Sequence, residues 1–149
     1  MSYSFTGASI SPDVKTVAIQ YFNNNASFVV PTLSRTFTDA LRDYFTSQTK
    51  LVLVDRSGDL NIEGAITSYT IQPIAIQGNE TAAMNRLTVG VTVKFTNKKN
   101  EKQNFENKIF SAHQDYSSTQ NISTVQDALL KLIDDELIQD IFNSTVVNW

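Results

Sequence analysis

An α+β two-layer sandwich, with two helices on one face of a mixed four- or five-stranded sheet, is the fold this sequence predicts. Three patterns predict it. A strand, an amphipathic helix and a second strand follow one another between Val17 and Val54. Strict apolar/polar alternation then runs from Leu87 to Phe95, ahead of a polar turn and a returning β segment. A long amphipathic helix closes the chain. The order is β-α-β-β-β-α, with one more strand if Arg56-Ser57-Gly58-Asp59 is a true turn and not a bulge within one long strand. A chain of 149 residues that is 41% hydrophobic is expected to be one domain spanning 1–149, with enough apolar material for a core that needs no metal or disulfide staples.

The first element is an extended Tyr/Ser/Gly-containing segment that leads into Val17, Ile19 and Tyr21, which recur at period two and give a strand with one apolar face. Pro31 fits the first turn of the helix that follows. Leu33, Phe37, Ala40, Leu41, Tyr44 and Phe45 recur at steps of three and four and form its apolar stripe, while Arg35, Asp39, Arg42 and Asp43 fall on the water side. The uninterrupted apolar run Leu51-Val52-Leu53-Val54 is too short for a buried helix. It reads as an interior strand parallel to the first across a right-handed crossover.

In the next β segment, Ile62, Ile66, Tyr69, Ile71, Ile74 and Ile76 change phase near residues 67–69, and Pro73 lacks a backbone donor. A bulge or an edge position answers both features. Leu87, Val89, Val91, Val93 and Phe95 alternate with Thr88, Gly90, Thr92 and Lys94, which sets one core face against one wet or partner-covered face. Thr96 to Lys102 is a polar turn, and Phe105 through Tyr116 returns as the other arm of an antiparallel hairpin. Ser123 and Gln126 have capping-box spacing. Val125, Leu129, Leu132, Ile133, Leu137, Ile141 and Phe142 then line one side of a helix whose stripe Leu130 and Ile138 widen, with Asp127 and Asp134 to Glu136 toward solvent and Val146, Val147 and Trp149 as an apolar tail. The expected shared core is Val17, Ile19, Leu41, Phe45, Leu53, Val89, Val91, Val93, Leu129, Ile133, Leu137 and Ile141.

Little in the chain suggests catalysis. With no cysteine there is no disulfide, thiol nucleophile or thiolate metal site. His113 is the only histidine, and Asp115 two residues along a strand merely shares its face, so a structural or surface role is expected. Asp134, Asp135 and Glu136 are consecutive on a helix and fan around it instead of converging on a metal. Gly58, Gly64, Gly78 and Gly90 lack phosphate-loop spacing, so no cofactor or metal site is predicted. Asn25, Asn79, Asn121 and Asn143 each open an Asn-X-Ser/Thr triplet, which the Asn- and Thr-rich composition explains. No apolar run reaches the length of a membrane span.

The formal net charge of −3 is mild, but the charges are unevenly placed. Arg86, Lys94, Lys98, Lys99, Lys102 and Lys108 face only Glu101 and Glu106 in their stretch, whereas Asp127, Asp134, Asp135, Glu136 and Asp140 face only Lys131 in the last. A basic hairpin and an acidic helix result. The hairpin reads either as a solubilising turn or as a contact for an anionic glycolipid or an acidic partner surface. Nucleic acid is not an expected partner, because the overall charge is negative and the parity of Phe95 and Phe105 makes them core residues instead of stacking platforms.

Three stretches carry a family pattern: SFTGASISPDVKTVAIQYFNN, PTLSRTFTDALRDYFTSQTKLVLVDRSGDLNIEGAITSY and PIAIQGNETAAMNRLTVGVTVKFTN. Together with the terminal helix and its VVNW ending, they resemble the LptE-like lipoproteins of Bacteroidetes-type bacteria. Pro31, Leu33, Ser34, Phe37, Thr38, Ala40, Leu41, Phe45, Thr49 and Leu51 carry the likeness most densely. The resemblance implies a small sheet with two helices on one face. It also implies a non-enzymatic outer-membrane assembly factor, lipid-anchored on the periplasmic side, that plugs an LptD-type β-barrel and serves as a component of the lipopolysaccharide translocon. The anchor would be an N-terminal lipid on a cysteine that this chain, beginning Met1-Ser2-Tyr3, does not contain. The alternative is a periplasmic binding or adaptor module acting without a barrel; a hydrolase would need a site the sequence does not display. On charge and position, Lys98, Lys99, Lys102, Arg86, Lys94 and Lys108 are the candidate contacts for lipopolysaccharide or a partner. Thr88 and Thr92 are the candidate barrel-facing residues, because a surface entering a water-filled lumen should be polar.

Overall fold

The structure is a computed structural model and describes residues 10–27, 30–75 and 83–147. The extended segment ahead of Ile10, together with Ile76, Gly78, Asn79 and Trp149, lies outside the described residues, and the side chain of Val147 is not described. Six strands and two helices follow in the order β1 (Thr16–Ile19), β2 (Asn23–Asn24), α1 (Leu33–Gln48), β3 (Val52–Val54), β4 (Leu60–Ile74), β5 (Met84–Asn97), β6 (Phe105–Ser117) and α2 (Ile122–Phe142). The sheet runs β3-β1-β4-β5-β6, and β2 continues the line of β1 alongside β4. β1 pairs in parallel with β3 and with β4, while β4, β5 and β6 are antiparallel, so the sheet is mixed. Both helices pack on one face of it, as the apolar stripes require.

The expected extra strand exists, because residues 56–59 form a genuine turn. Ser57 has φ 56°, in the left-handed region, and the Asn61 side chain brackets Gly58 by accepting from its N–H at 3.0 Å and donating to its carbonyl at 2.7 Å. Asp59 then ties the turn to β1: Oδ2 accepts from the Lys15 and Thr16 N–H groups at 2.8 and 3.2 Å. The hydrogen bond from Lys15 is the largest influence holding the Asp59 carboxyl below its usual range.

Three features of the first half differ from expectation. β1 stops at Ile19 and the chain breaks before Asn23, which shifts the alternation by one: Phe22 is buried, and Tyr21 is 48% exposed. Phe22 then fills the space above Gly64, where an added Cβ would lie 2.8 Å from its ring. β3 is parallel to β1 as predicted, but it is an edge strand and not an interior one. β4 takes the other flank of β1, so nothing pairs outside β3, and Val52 and Leu53 are 60% and 39% exposed; Leu53 therefore leaves the expected core. Pro31 sits just ahead of α1, whose N-cap is Thr32, and not inside its first turn.

β4 carries its bulge between Ile66 and Ser68, where the apolar phase changes, and the remaining length of β4 has only β5 beside it. Pro73 falls in that half-edge stretch, where a missing donor costs nothing. Asn121, not Ser123, caps α2: its Oδ1 accepts from the Ser123 N–H at 3.0 Å. Gln126 instead accepts from the Tyr69 hydroxyl at 2.6 Å, tying the helix to β4. α2 ends in a π-helical turn, Asn143–Val147, where the Thr145 hydroxyl donates to the carbonyls of Ile141 and Phe142.

The core lies between the sheet and the helices. Val17, Ile19, Ile62, Ile66, Val89, Val91, Val93 and Phe95 from the strands meet Phe37, Leu41 and Phe45 of α1 and Leu130, Ile133, Leu137 and Ile141 of α2. Each large side chain fully buried there is worth roughly 1.5–3 kcal/mol. Phe142 joins the helices edge-on to Tyr44 and Phe45, with ring centroids 5.0 Å apart in both pairs. Leu129 is only half-buried at the margin and Leu132 is 52% exposed, so the stripe of α2 is centred further toward Leu130 and Ile138 than the sequence pattern placed it.

Candidate functional site: the open face of the sheet and its basic turn

Alternation along β5 decides which side chains meet the helices. Leu87, Val89, Val91, Val93 and Phe95 point into the core, so Arg86, Thr88, Gly90, Thr92 and Lys94 point to the opposite face. Among the described residues, no helix covers that face. Register adds Glu63, Ala65, Ser68, Thr70 and Gln72 from β4 on one flank, and Ile109, Ser111, His113 and Asp115 from β6 on the other. The result is a polar surface built from backbone-rigid positions.

Thr88 and Thr92 are half-buried on this face, as their parity requires. Thr88 lies between Thr70 and the exposed His113, and the Thr92 hydroxyl is 3.1 Å from that of Thr67. Gly90 keeps the face shallow, since a Cβ there would meet the Ser68 hydroxyl.

The six basic residues do not form one cluster. Arg86 makes a two-pronged ion pair with its cross-strand partner Asp115, at 2.9 and 3.2 Å, which pulls the Asp115 carboxyl down and pushes the Arg86 guanidinium up. Lys94 faces Glu63 across the β4–β5 pair and lies 3.7 Å from Glu106. Lys108 is the register partner of Val93 and so leaves the open face; its ammonium sits 5.1 Å and 5.5 Å from the ring centroids of Phe105 and Phe110. Twelve residues of strand, about 40 Å, separate Arg86 from the turn.

Lys98, Lys99 and Lys102 do come together. Buried Asn97 holds the turn, accepting from the Lys99 and Asn100 N–H groups at 2.9 and 3.1 Å, while its own N–H donates to the Asn104 side chain at 2.6 Å. The Lys98 N–H donates to the Asp59 carbonyl at 2.9 Å, and Asn100 accepts from the Lys102 N–H at 3.2 Å. Asparagines thus fix the backbone and leave the three lysine side chains exposed, without an ion pair among the described residues. Sequence reasoning did not assign the carboxylates that neutralise Arg86 and Lys94; cross-strand register, which the hydrophobic pattern and the turn set together, identifies them.

One titratable group lies far from its expected place. Asp134 was expected on the solvent side of α2 and is instead 3% exposed, because it stands four residues from both Leu130 and Ile138 on their face of the helix. Burial, with Asp135 as the second cause, pushes its carboxyl up to about 7. The spacing 130, 134, 138 was the signal available in the sequence.

Among the described residues, no group of three His, Cys, Asp or Glu side chains could hold a metal ion, and no helix is long and apolar enough to cross a membrane. The family model described as LptE, lipopolysaccharide-assembly, matches residues 14–145 of the chain. No curated protein matches it. Among solved structures, an uncharacterized lipoprotein B from Nitrosomonas europaea superposes with a TM-score of 0.58 at 11% identity, covering 86% of this chain and 79% of its own. A hypothetical protein from Chlamydia trachomatis gives 0.55 at 11% identity, over 91% and 99%. The PelC dodecamer from Paraburkholderia phytofirmans gives 0.53 at 10% identity, over 93% and 94%. At these identities the likeness is one of fold.

Proposed function

Because the chain belongs to the LptE lipopolysaccharide-assembly family, the match running from residue 14 to residue 145, we propose that it is a non-enzymatic outer-membrane assembly factor whose open sheet face enters the lumen of an LptD-type β-barrel. The carrying observation is the asymmetry of the sheet: one face is committed to two helices, and the other is long, polar and uncovered from β4 to β6. A surface of this kind suits a water-lined lumen, where Thr88 and Thr92 can exchange hydrogen bonds with polar wall residues. Lys98, Lys99 and Lys102 extend from the end of the β5–β6 hairpin and supply point charges for the phosphates of lipopolysaccharide. Arg86, Lys94 and Lys108 take a secondary part, because each already has a carboxylate or aromatic partner.

In this reading residues 1–149 act as one LptE-like domain, held at the periplasmic side of the outer membrane by an N-terminal lipid in the native form. The test is site-specific photocrosslinking in cells. Probes at Thr92 and Lys98 should capture the barrel, and a probe at exposed Asp135 on α2 should not. Failure of both probes, one on the sheet and one on its turn, in folded, correctly localised protein would favour a periplasmic adaptor acting without a barrel.

A further inference from the structure

One poorly compensated group among the described residues lies on the helix side, away from the open face. Asp134 is 3% exposed, and its Oδ1 has no hydrogen-bond partner. Beside it lies a cavity of about 450 Å³ between α2 and the start of α1, whose walls include Thr32, Thr36, Leu130 and Arg35. Such a carboxyl is tolerated while it is neutral and is costly once ionised.

The charges around it offset ionisation only in part: Lys131 on the cavity wall favours the carboxylate, but burial and Asp135 outweigh it. On α2, Lys131 is 3.5 Å from Asp135 and largely exposed, and Asp127 and Asp135 add like charge on the cavity wall. On α1, Arg35 lines the same cavity but is exposed, Asp39 and Asp43 face water, and Arg42 is committed to the Ile19 carbonyl. From the helix-bearing side of the sheet come Tyr69, Tyr116 and, at the margin, Lys108 over its two phenylalanines. The first turn of α1 is anchored by buried Leu33 and Ser34 but is electrostatically uncapped: its N-cap Thr32 makes no side-chain cap bond, and no acidic residue sits there.

We infer that the seam between α1 and α2 is a proton-operated latch, closed while Asp134 is neutral and opened at the first turn of α1 when Asp134 ionises and pairs with Arg35. The relief is local. Both residues line the same solvent-open cavity, so loosening of the first turn frees the long Arg35 side chain to reach across it to the carboxylate. Burial places the Asp134 proton near neutrality, so the latch responds at ordinary pH.

Carbon-detected NMR of the whole chain, labelled at aspartate, tests this directly, with amide exchange followed from Leu33 to Phe37. The Asp134 carboxyl should titrate near pH 7, and protection of the first-turn amides, with the intrinsic pH dependence of exchange divided out, should fall at least severalfold through the same pH range. Asp134→Asn, which is nearly isosteric, should keep that protection unchanged at every pH. Arg35→Gln should raise the Asp134 midpoint, because the open state loses its counter-ion. A carboxyl that titrates near 4 overturns the latch, as does first-turn protection that is indifferent to pH or falls equally in Asp134→Asn. The wild-type titration and first-turn protection, measured together, decide the matter even if a variant fails to fold.

Discussion

The guanidinium of Arg42 donates to the carbonyl of Ile19 twice, through Nε at 3.1 Å and Nη2 at 2.8 Å. Ile19 is the last residue of β1, where the strand breaks before β2 resumes beside β4. One helical turn earlier, the Thr38 hydroxyl accepts from the Phe22 N–H at 3.0 Å. Residues 38 and 42 therefore hold backbone groups on both sides of the break from a single face of α1. A break inside a buried sheet is stable only when such groups find partners.

Removing these partners should cost stability without moving the open face. Arg42→Leu and Thr38→Val should each lower the unfolding free energy by about 1–3 kcal/mol, since each leaves a main-chain group unpaired. Because both act on one short segment, the double variant should cost less than the sum. Urea denaturation of the four proteins measures this; strict additivity would show that the two contacts stabilise independent sites.

Adjacent residues on β5 should respond in opposite ways to the same substitution. Val91 is fully buried and Thr92 points to the open face. Val91→Asp should destabilise by several kcal/mol, because it buries a carboxylate with no partner. Thr92→Asp loses a hydroxyl contact to Thr67 and some strand propensity and should cost only about 1 kcal/mol. Equal effects in thermal unfolding would contradict the assigned faces.

Asp134 should weaken the fold as pH rises. Its carboxyl is pushed up to about 7 in the folded protein from an ordinary value of 3.8, so the folded chain binds the proton more tightly than the unfolded chain does. Stability from this group is complete below pH 3.8, falls as pH rises toward 7, and is level above it. The full loss has an upper bound of about 4 kcal/mol, which opening of the seam reduces. Asp134→Asn should therefore be more stable than wild type above pH 7, and the advantage should shrink on acidification. A constant difference across urea midpoints from pH 4 to 8 would mean that Asp134 does not titrate in this window.

The two-layer fold was legible because periodicity and burial coincide over most elements. The alternation from Leu87 to Phe95 assigned the two faces of β5 correctly, and the phase change near residue 67 marked the bulge of β4. The departures arise where tertiary neighbours decide. Leu53 has the apolar character of an interior strand residue, yet the β1–β4 pairing puts β3 at the edge. Arg42 has the parity of a surface residue, but its long side chain reaches back to a strand end. Asp134 was grouped with Asp135 and Glu136 as a charged run, although its spacing to Leu130 and Ile138 already placed it on the apolar side. For the candidate site, the turn lysines were legible as a group. The neutralisation of Arg86 and Lys94 depends on β5–β6 register, and composition cannot supply that.

The turn lysines give the last prediction, which follows from how differently the six cations are placed. Lys98, Lys99 and Lys102 are exposed on a turn whose backbone is fixed by Asn97, Asn100 and Asn104, so changing their side chains leaves the fold intact. Charge reversal of all three to glutamate should weaken binding of purified lipopolysaccharide at least severalfold at low salt. Wild-type binding should itself fall as salt screens the attraction, and the variant should show a flatter salt dependence. Arg86→Gln together with Lys94→Gln should change binding less, because Asp115 and Glu106 already oppose those charges. Affinity that is unchanged in the triple variant across a range of salt would return these lysines to the role of solubilising charge. The barrel-facing role of the open sheet would still stand on its own crosslinking test, because that face and the turn present different residues.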